Sequence, residues 1–189
     1  NVMGEVRSPG TYTLSSFASA FHALYTAGGI TNIGSLRNIR IFRSGRQMAD
    51  IDLYEYLIKG NNMEDITLQD GDIVMVEPHG ILAQAKGEVR RPMWYEIKPH
   101  ETLQDLIRYA GGFSENAFKG TITLQRSGDA EREVYTLSEA EYPVFQLHDG
   151  DKIQVDSILS RFTNMVEISG SVYRPGKYAI SDRISTVRD

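Results

Sequence analysis

The 189-residue sequence contains no cysteine. Disulfides, thiol nucleophiles and thiolate metal sites are therefore excluded. The absence does not separate cytoplasm from periplasm, because many exported domains also lack cysteine. No apolar run approaches the roughly 18 residues that a spanning helix needs, so no membrane-spanning segment is expected. Clustered positive charge is missing too. The 20 Lys and Arg residues are scattered among 25 Asp and Glu, for a net charge of −5. A nucleic-acid footprint needs clustered cations, so no nucleic-acid partner is expected. The four histidines, His22, His79, His100 and His148, lie too far apart in sequence to form a local metal pair. No G-x-S-x-G elbow occurs. The sequence predicts no enzyme, no cofactor and no metal.

What is present is repetition. Gly4-Glu5-Val6-Arg7-Ser8-Pro9-Gly10-Thr11-Tyr12 returns as Gly87-Glu88-Val89-Arg90-Arg91-Pro92-Met93-Trp94-Tyr95. It returns again as Gly170-Ser171-Val172-Tyr173-Arg174-Pro175-Gly176-Lys177-Tyr178, at a constant spacing of 83 residues. A fixed period means tandem copies of one folded unit. The expected domains are residues 1–80, residues 81–160, and the start of a third copy over residues 161–189. The first copy opens near the N-terminus and the third stops soon after its opening phrase, so the chain reads as a segment of a longer array. Any targeting segment of the parent would then lie outside it.

Each copy follows one order. Ile81, Ala83, Ala85 and Val89 share a parity opposite to Gln84, Lys86, Glu88 and Arg90, the period of a half-buried strand. Proline ends it, and a second strand is expected over residues 11–14, 94–97 and 178–180, closing a hairpin. A helix follows. Leu103, Leu106, Ile107 and Ala110 form one apolar stripe, matched by Ala20, Ala23, Leu24 and Ala27. Thr102 with Asp105 reads as a capping box, and Ser19 as the first copy's cap. In the third copy Thr186 and Asp189 would begin the same helix after a one-residue slip. Ala27-Gly28-Gly29 and Ala110-Gly111-Gly112 read as helix C-caps, because anion-binding loops precede a helix whereas these follow one.

Third strands are expected over residues 38–43 and 121–126, and fourth strands over residues 51–53 and 134–137. A helical turn could be added within Asp52 to Lys59. The final strands follow Asp70-Gly71-Asp72 and Asp149-Gly150-Asp151. These read as tight turns, since a calcium loop needs alternating acids and a distant Glu. Hairpin, helix, two strands and a final strand make an α+β layer architecture, best met by tandem β-grasp domains, each a mixed sheet with one main helix. Met93 stands where the other copies have Gly10 and Gly176, so its turn must avoid positive φ or carry strain.

The G-x-V-x-x-P-G-x-Y opening, the A-G-G helix end and the L-x-D-G-D-x-I-x-V close together resemble the SLBB family, the soluble ligand-binding β-grasp domains. Tandem copies of this size are similar to the periplasmic part of Wza-type outer-membrane polysaccharide export proteins. The resemblance implies polysaccharide as partner and a homo-oligomer in the full-length protein. It also implies an inner-membrane export partner, and a periplasmic location held at the outer membrane by parts of the parent protein absent here. The alternative is a soluble ligand- or glycan-binding module. Arginines and aromatics recur beside the first hairpin, and Arg90, Arg91, Trp94 and Tyr95 are the candidate glycan or interface contacts. Aromatic faces and guanidinium forks suit glycans. Equally, such tyrosines could pack on the helix and such arginines be solvated. Trp94, the sole tryptophan, and Arg91 are the stronger candidates for a functional contact.

Overall fold

The computed structural model describes residues 1–58, 60 and 66–180. The first copy forms β1 (Val2–Gly4), α1 (Ala20–Thr26), β2 (Gly34–Arg43), β3 (Arg46–Ile51), α2 (Leu53–Leu57) and β4 (Ile73–Pro78). The second forms β5 (Ile81–Gly87), β6 (Trp94–Ile97), α3 (Leu103–Tyr109), β7 (Thr121–Ser127), β8 (Arg132–Ser138) and β9 (Lys152–Val155). All of these lie in one compact unit, Asn1–Ser157. A second unit, Ile158–Asp189, contains the antiparallel hairpin of β10 (Met165–Ile168) and β11 (Gly176–Ala179).

The second copy's sheet has the order β6-β5-β9-β7-β8. Its first and last strands, β5 and β9, are central and parallel, and every other neighbour is antiparallel. This is the β-grasp order. The first copy repeats it as β1-β4-β2-β3, again with its first and last strands parallel. One strand is missing: residues 11–14 form none, and only an isolated bridge joins Val2 to Gly10. The register explains it. In the second copy Ile81, Leu82 and Ala83 pair with Ile97, Glu96 and Tyr95. Shifted by the 83-residue period, the partners of Tyr12, Thr13 and Leu14 fall before Asn1.

Each sheet holds its helix against one face. Leu103, Leu106, Ile107 and Ala110 are buried against Ala83, Ala85, Leu124 and Ile153. Ala20, Ala23, Leu24 and Ala27 occupy the same place in the first core, with Val2, Ile39, Ile41 and Val74. A fully buried leucine contributes about 2 kcal/mol through lost apolar contact with water, so the fold rests on these two cores. Thr102 and Asp105 form the expected capping box. At Ser19 the box is completed by His22, whose Nδ1 accepts from the Ser19 amide at 3.3 Å. Gly28 and Gly111, both at φ 80, close the two helices. Met93 avoids positive φ, and so does Gly10.

One strand is displaced from its expected place. The first copy's fourth strand is Arg46–Ile51, not residues 51–53, because the Asp52 carboxylate accepts from Tyr54 N at 2.9 Å and starts α2. Lys59, Thr186 and Asp189 lie outside the described residues.

Candidate functional site

The opening phrase positions the four candidate residues, and strand parity divides them. Tyr95 points into the core at 4 % exposure, while Trp94, on the opposite face, is 43 % exposed. The Tyr95 hydroxyl donates to the Arg91 carbonyl at 2.7 Å, closing the turn around Pro92. The same bond joins Tyr12 to Ser8 and Tyr178 to Arg174, so this recurring tyrosine is a turn clasp. Burial pushes the Tyr95 phenol above its usual range. Arg90 and Arg91 are exposed and lie over Gly111, and the Arg91 guanidinium donates to the Tyr109 carbonyl at 3.0 Å, at the C-terminal end of α3. A cation is favoured there by the helix dipole. Trp94 thus sits apart from the two arginines. Its neighbour is Lys152, whose Nζ lies 5.9 Å from the indole centroid.

Trp94 opens a row across the outer face of the second sheet. It pairs with Gln84, Gln84 with Lys152, Lys152 with Gln125, and Gln125 with Val134. The next row runs Lys86, Gln154, Thr123 and Thr136. These side chains stand on the face away from α3, because successive residues of a strand alternate. The first copy's face is different: Met3, Met75 and Arg40 form one row and Ile73 with Phe42 another. Arg40 is paired with Glu77 at 2.9 Å.

A second constellation joins the two sheets. Arg37, 4 % exposed, donates from Nη2 to Asp52 at 3.0 Å and to Glu101 at 2.8 Å. Its Nη1 reaches the Glu96 carbonyl at 3.0 Å. The guanidinium lies 4.6 Å from the Tyr54 ring and 5.2 Å from the Tyr109 ring, and these rings meet edge-on at 5.3 Å. Lys98 Nζ also pairs with Asp52, at 2.9 Å. The Glu96 carboxylate accepts from Ser35 Oγ at 2.7 Å and from Leu36 N at 2.9 Å. Burial disfavours every charge here, yet the pairing outweighs it. Asp52 and Glu101 are held below the usual carboxylate range and Arg37 above its own. Burial pushes both Tyr54 and Tyr109 up to about 12, with the bond to Glu101 adding to the shift of Tyr109.

A third arrangement occurs in both copies. Arg43 forks onto Asp72 with both bonds at 2.8 Å, and Arg126 onto Asp151 at 2.9 and 2.8 Å. The Asp-Gly-Asp turns are thus anchored to the preceding antiparallel strand by bidentate pairs. Among the described residues no group of three or more His, Cys, Asp or Glu is placed to hold a metal ion. Among them, too, no helix is long and apolar enough to cross a membrane.

Residues 1–76 and residues 84–135 each match the SLBB domain family. The chain belongs to this family. It is also 25 % identical over 181 residues to the polysialic acid transport protein KpsD of Escherichia coli. That alignment covers 95 % of this chain and 31 % of the relative, so the chain spans about a third of the length of the curated relative it matches.

Within the SLBB frame, sequence reasoning found the hairpin residues but not the Arg37 junction. Arg37 and Glu101 are 64 residues apart and in different copies, so no local pattern joins them. The division of Trp94 from Tyr95 did carry a signal, since adjacent strand residues face opposite sides.

Proposed function

We propose that this chain is a scaffold segment of a capsular or exopolysaccharide exporter, working in the periplasm and held at the outer membrane by other parts of its parent protein. Residues 1–80 and 81–160 serve as two SLBB units, and residues 161–189 begin a third. The observation that carries the reading is the Arg37 junction, a buried ion cluster between two β-grasp sheets. A flexible tether between independent binding modules needs no such cluster. A strut does, because its two ends must keep a fixed geometry. The likeness to a polysialic acid transport protein supports a polysaccharide as the cargo. Full-length copies would associate into a closed homo-oligomer around the polysaccharide path and meet an inner-membrane export partner. No catalytic step is assigned to the segment.

The test is in the cell. Removing residues 1–157 in frame from the parent gene should abolish surface polysaccharide while the shortened protein still accumulates. Normal surface polysaccharide with a stable shortened protein would overturn the reading. The glycan-binding alternative draws on a different observation, the Trp94 row.

A further inference from the structure

The outer face of the second sheet has a composition that the fold does not require. Its outward strand residues include three cations, Lys86, Lys152 and Arg132, against one acid, Glu96. The Glu96 carboxylate is buried and accepts from Ser35 Oγ and the Leu36 amide. The face is therefore cationic on a chain whose net charge is −5. Trp94 lies at one edge with its ring exposed, and Lys152 stands beside it. Gln84 and Gln125 continue the row, offering amides on a flat surface. At about 4.8 Å between strands the row from Trp94 to Gln125 extends roughly 14 Å, room for several sugar rings.

We propose that this face is a binding platform for an acidic polysaccharide. Trp94 stacks on the apolar face of one sugar ring, and Lys86 and Lys152 pair with carboxylates of the chain. Gln84 and Gln125 bond its hydroxyls. The occupant is argued from charge complementarity: a neutral glycan would leave the lysines unused, and an apolar protein partner would bury them unpaired. The first unit supplies the contrast. Its outer face carries Met3, Ile73, Phe42 and Met75, and its Arg40 is already neutralised by Glu77. The platform therefore belongs to the second unit and is not a general property of the β-grasp sheet. The inference rests on the polysaccharide reading above and adds the contact surface and the charge class.

The sole tryptophan makes the test specific. Oligogalacturonate is titrated into the 189-residue chain while Trp94 emission is followed, with calorimetry in parallel. Saturable quenching or a shift of the emission is expected with oligogalacturonate, and no response with neutral dextran. Lys86→Glu with Lys152→Glu should weaken binding about tenfold through loss and reversal of two exposed charge contacts. Lys152→Met alone should weaken it a few-fold, and Arg46→Glu on the first unit should leave it unchanged. Both lysines are exposed, so circular dichroism should match the parent. Several results would overturn the platform: no binding, binding without a Trp94 response, equal binding of dextran, or indifference to the lysine substitutions. If the cell test shows that residues 1–157 are needed for export while any of these occurs, the scaffold stands and the platform falls.

Discussion

Replacing Arg37 by methionine tests the strut directly. Methionine keeps much of the packing against Tyr54 and Tyr109 but removes the guanidinium. Asp52 and Glu101 are then left in a buried site, at 12 % and 8 % side-chain exposure, without their shared partner. Breaking a buried ion pair by removing one partner costs about 3–5 kcal/mol. The loss should fall near the lower end. Asp52 keeps Lys98 and the Tyr54 amide, and Glu101 keeps the Tyr109 hydroxyl and the Lys98 amide. At about 3 kcal/mol, with a urea dependence near 2 kcal/mol/M, the midpoint should drop by about 1.5 M. The assay is urea unfolding followed by circular dichroism, which reports both sheets, and by Trp94 emission, which reports the second. The two signals should coincide in the parent chain and separate in Arg37→Met as the first unit melts alone. The triple variant Arg37→Met, Asp52→Asn, Glu101→Gln should recover most of the loss, because Asp52 and Glu101 no longer carry buried charge and Lys98, which loses Asp52, is 38 % exposed. A midpoint within about 0.3 M of the parent for Arg37→Met would refute the argument.

Two further outcomes follow from the same geometry. Stability should be bounded on both sides in pH. The depressed carboxyls of Asp52, Glu101 and Asp72 contribute stability that is present above the ordinary carboxylate range near pH 4 and lost as pH falls through their lowered values. Tyr54 and Tyr109, raised to about 12, contribute stability that is present below about pH 10 and lost as pH rises towards 12. Urea midpoints across pH and a tyrosinate absorbance titration check this, and all tyrosines ionising together near pH 10 would contradict the alkaline limb. Gly87→Ala should destabilise by about 3 kcal/mol or more, since φ is 76 and a Cβ would lie 2.0 Å from the Val155 carbonyl oxygen. Gly10→Ala, with open space around it, is the control and should be near neutral by thermal unfolding.

Much of the fold was legible because its signals are local. Alternation along residues 81–89, the stripe of α3 and the paired glycines each lie within one stretch of chain, and their recurrence at 83 residues fixed the unit. The first copy's second strand failed for a reason outside those residues: a strand needs a partner, and register places that partner before Asn1. The Asp-Gly-Asp phrases were visible as repeats and Arg43 and Arg126 end the expected third strands, yet the pairing of Arg43 with Asp72 and Arg126 with Asp151 required the fold. The junction was least legible. A buried charge looks like any surface charge until its partner, 64 residues away, is brought alongside.

The copies agree where a β-grasp unit must be built and differ where it meets something else. Strand order, helix caps, tyrosine clasps and arginine-aspartate forks recur. Arg37 does not: the 83-residue period places Gly120 at its position in the second copy. The outer row changes as well, from Met3, Met75 and Arg40 to Lys86, Gln154 and Thr123. Recurrence of the interior follows from folding alone, since each unit needs the same core. Folding gives no reason for an unpaired cationic face on one copy or for a guanidinium buried between copies. Both features raise the cost of the structure in desolvation or in exposed aromatic surface. They are explained if the two units have separate tasks within one strut: the first supplies the guanidinium that fixes the junction, and the second presents the face that meets the cargo.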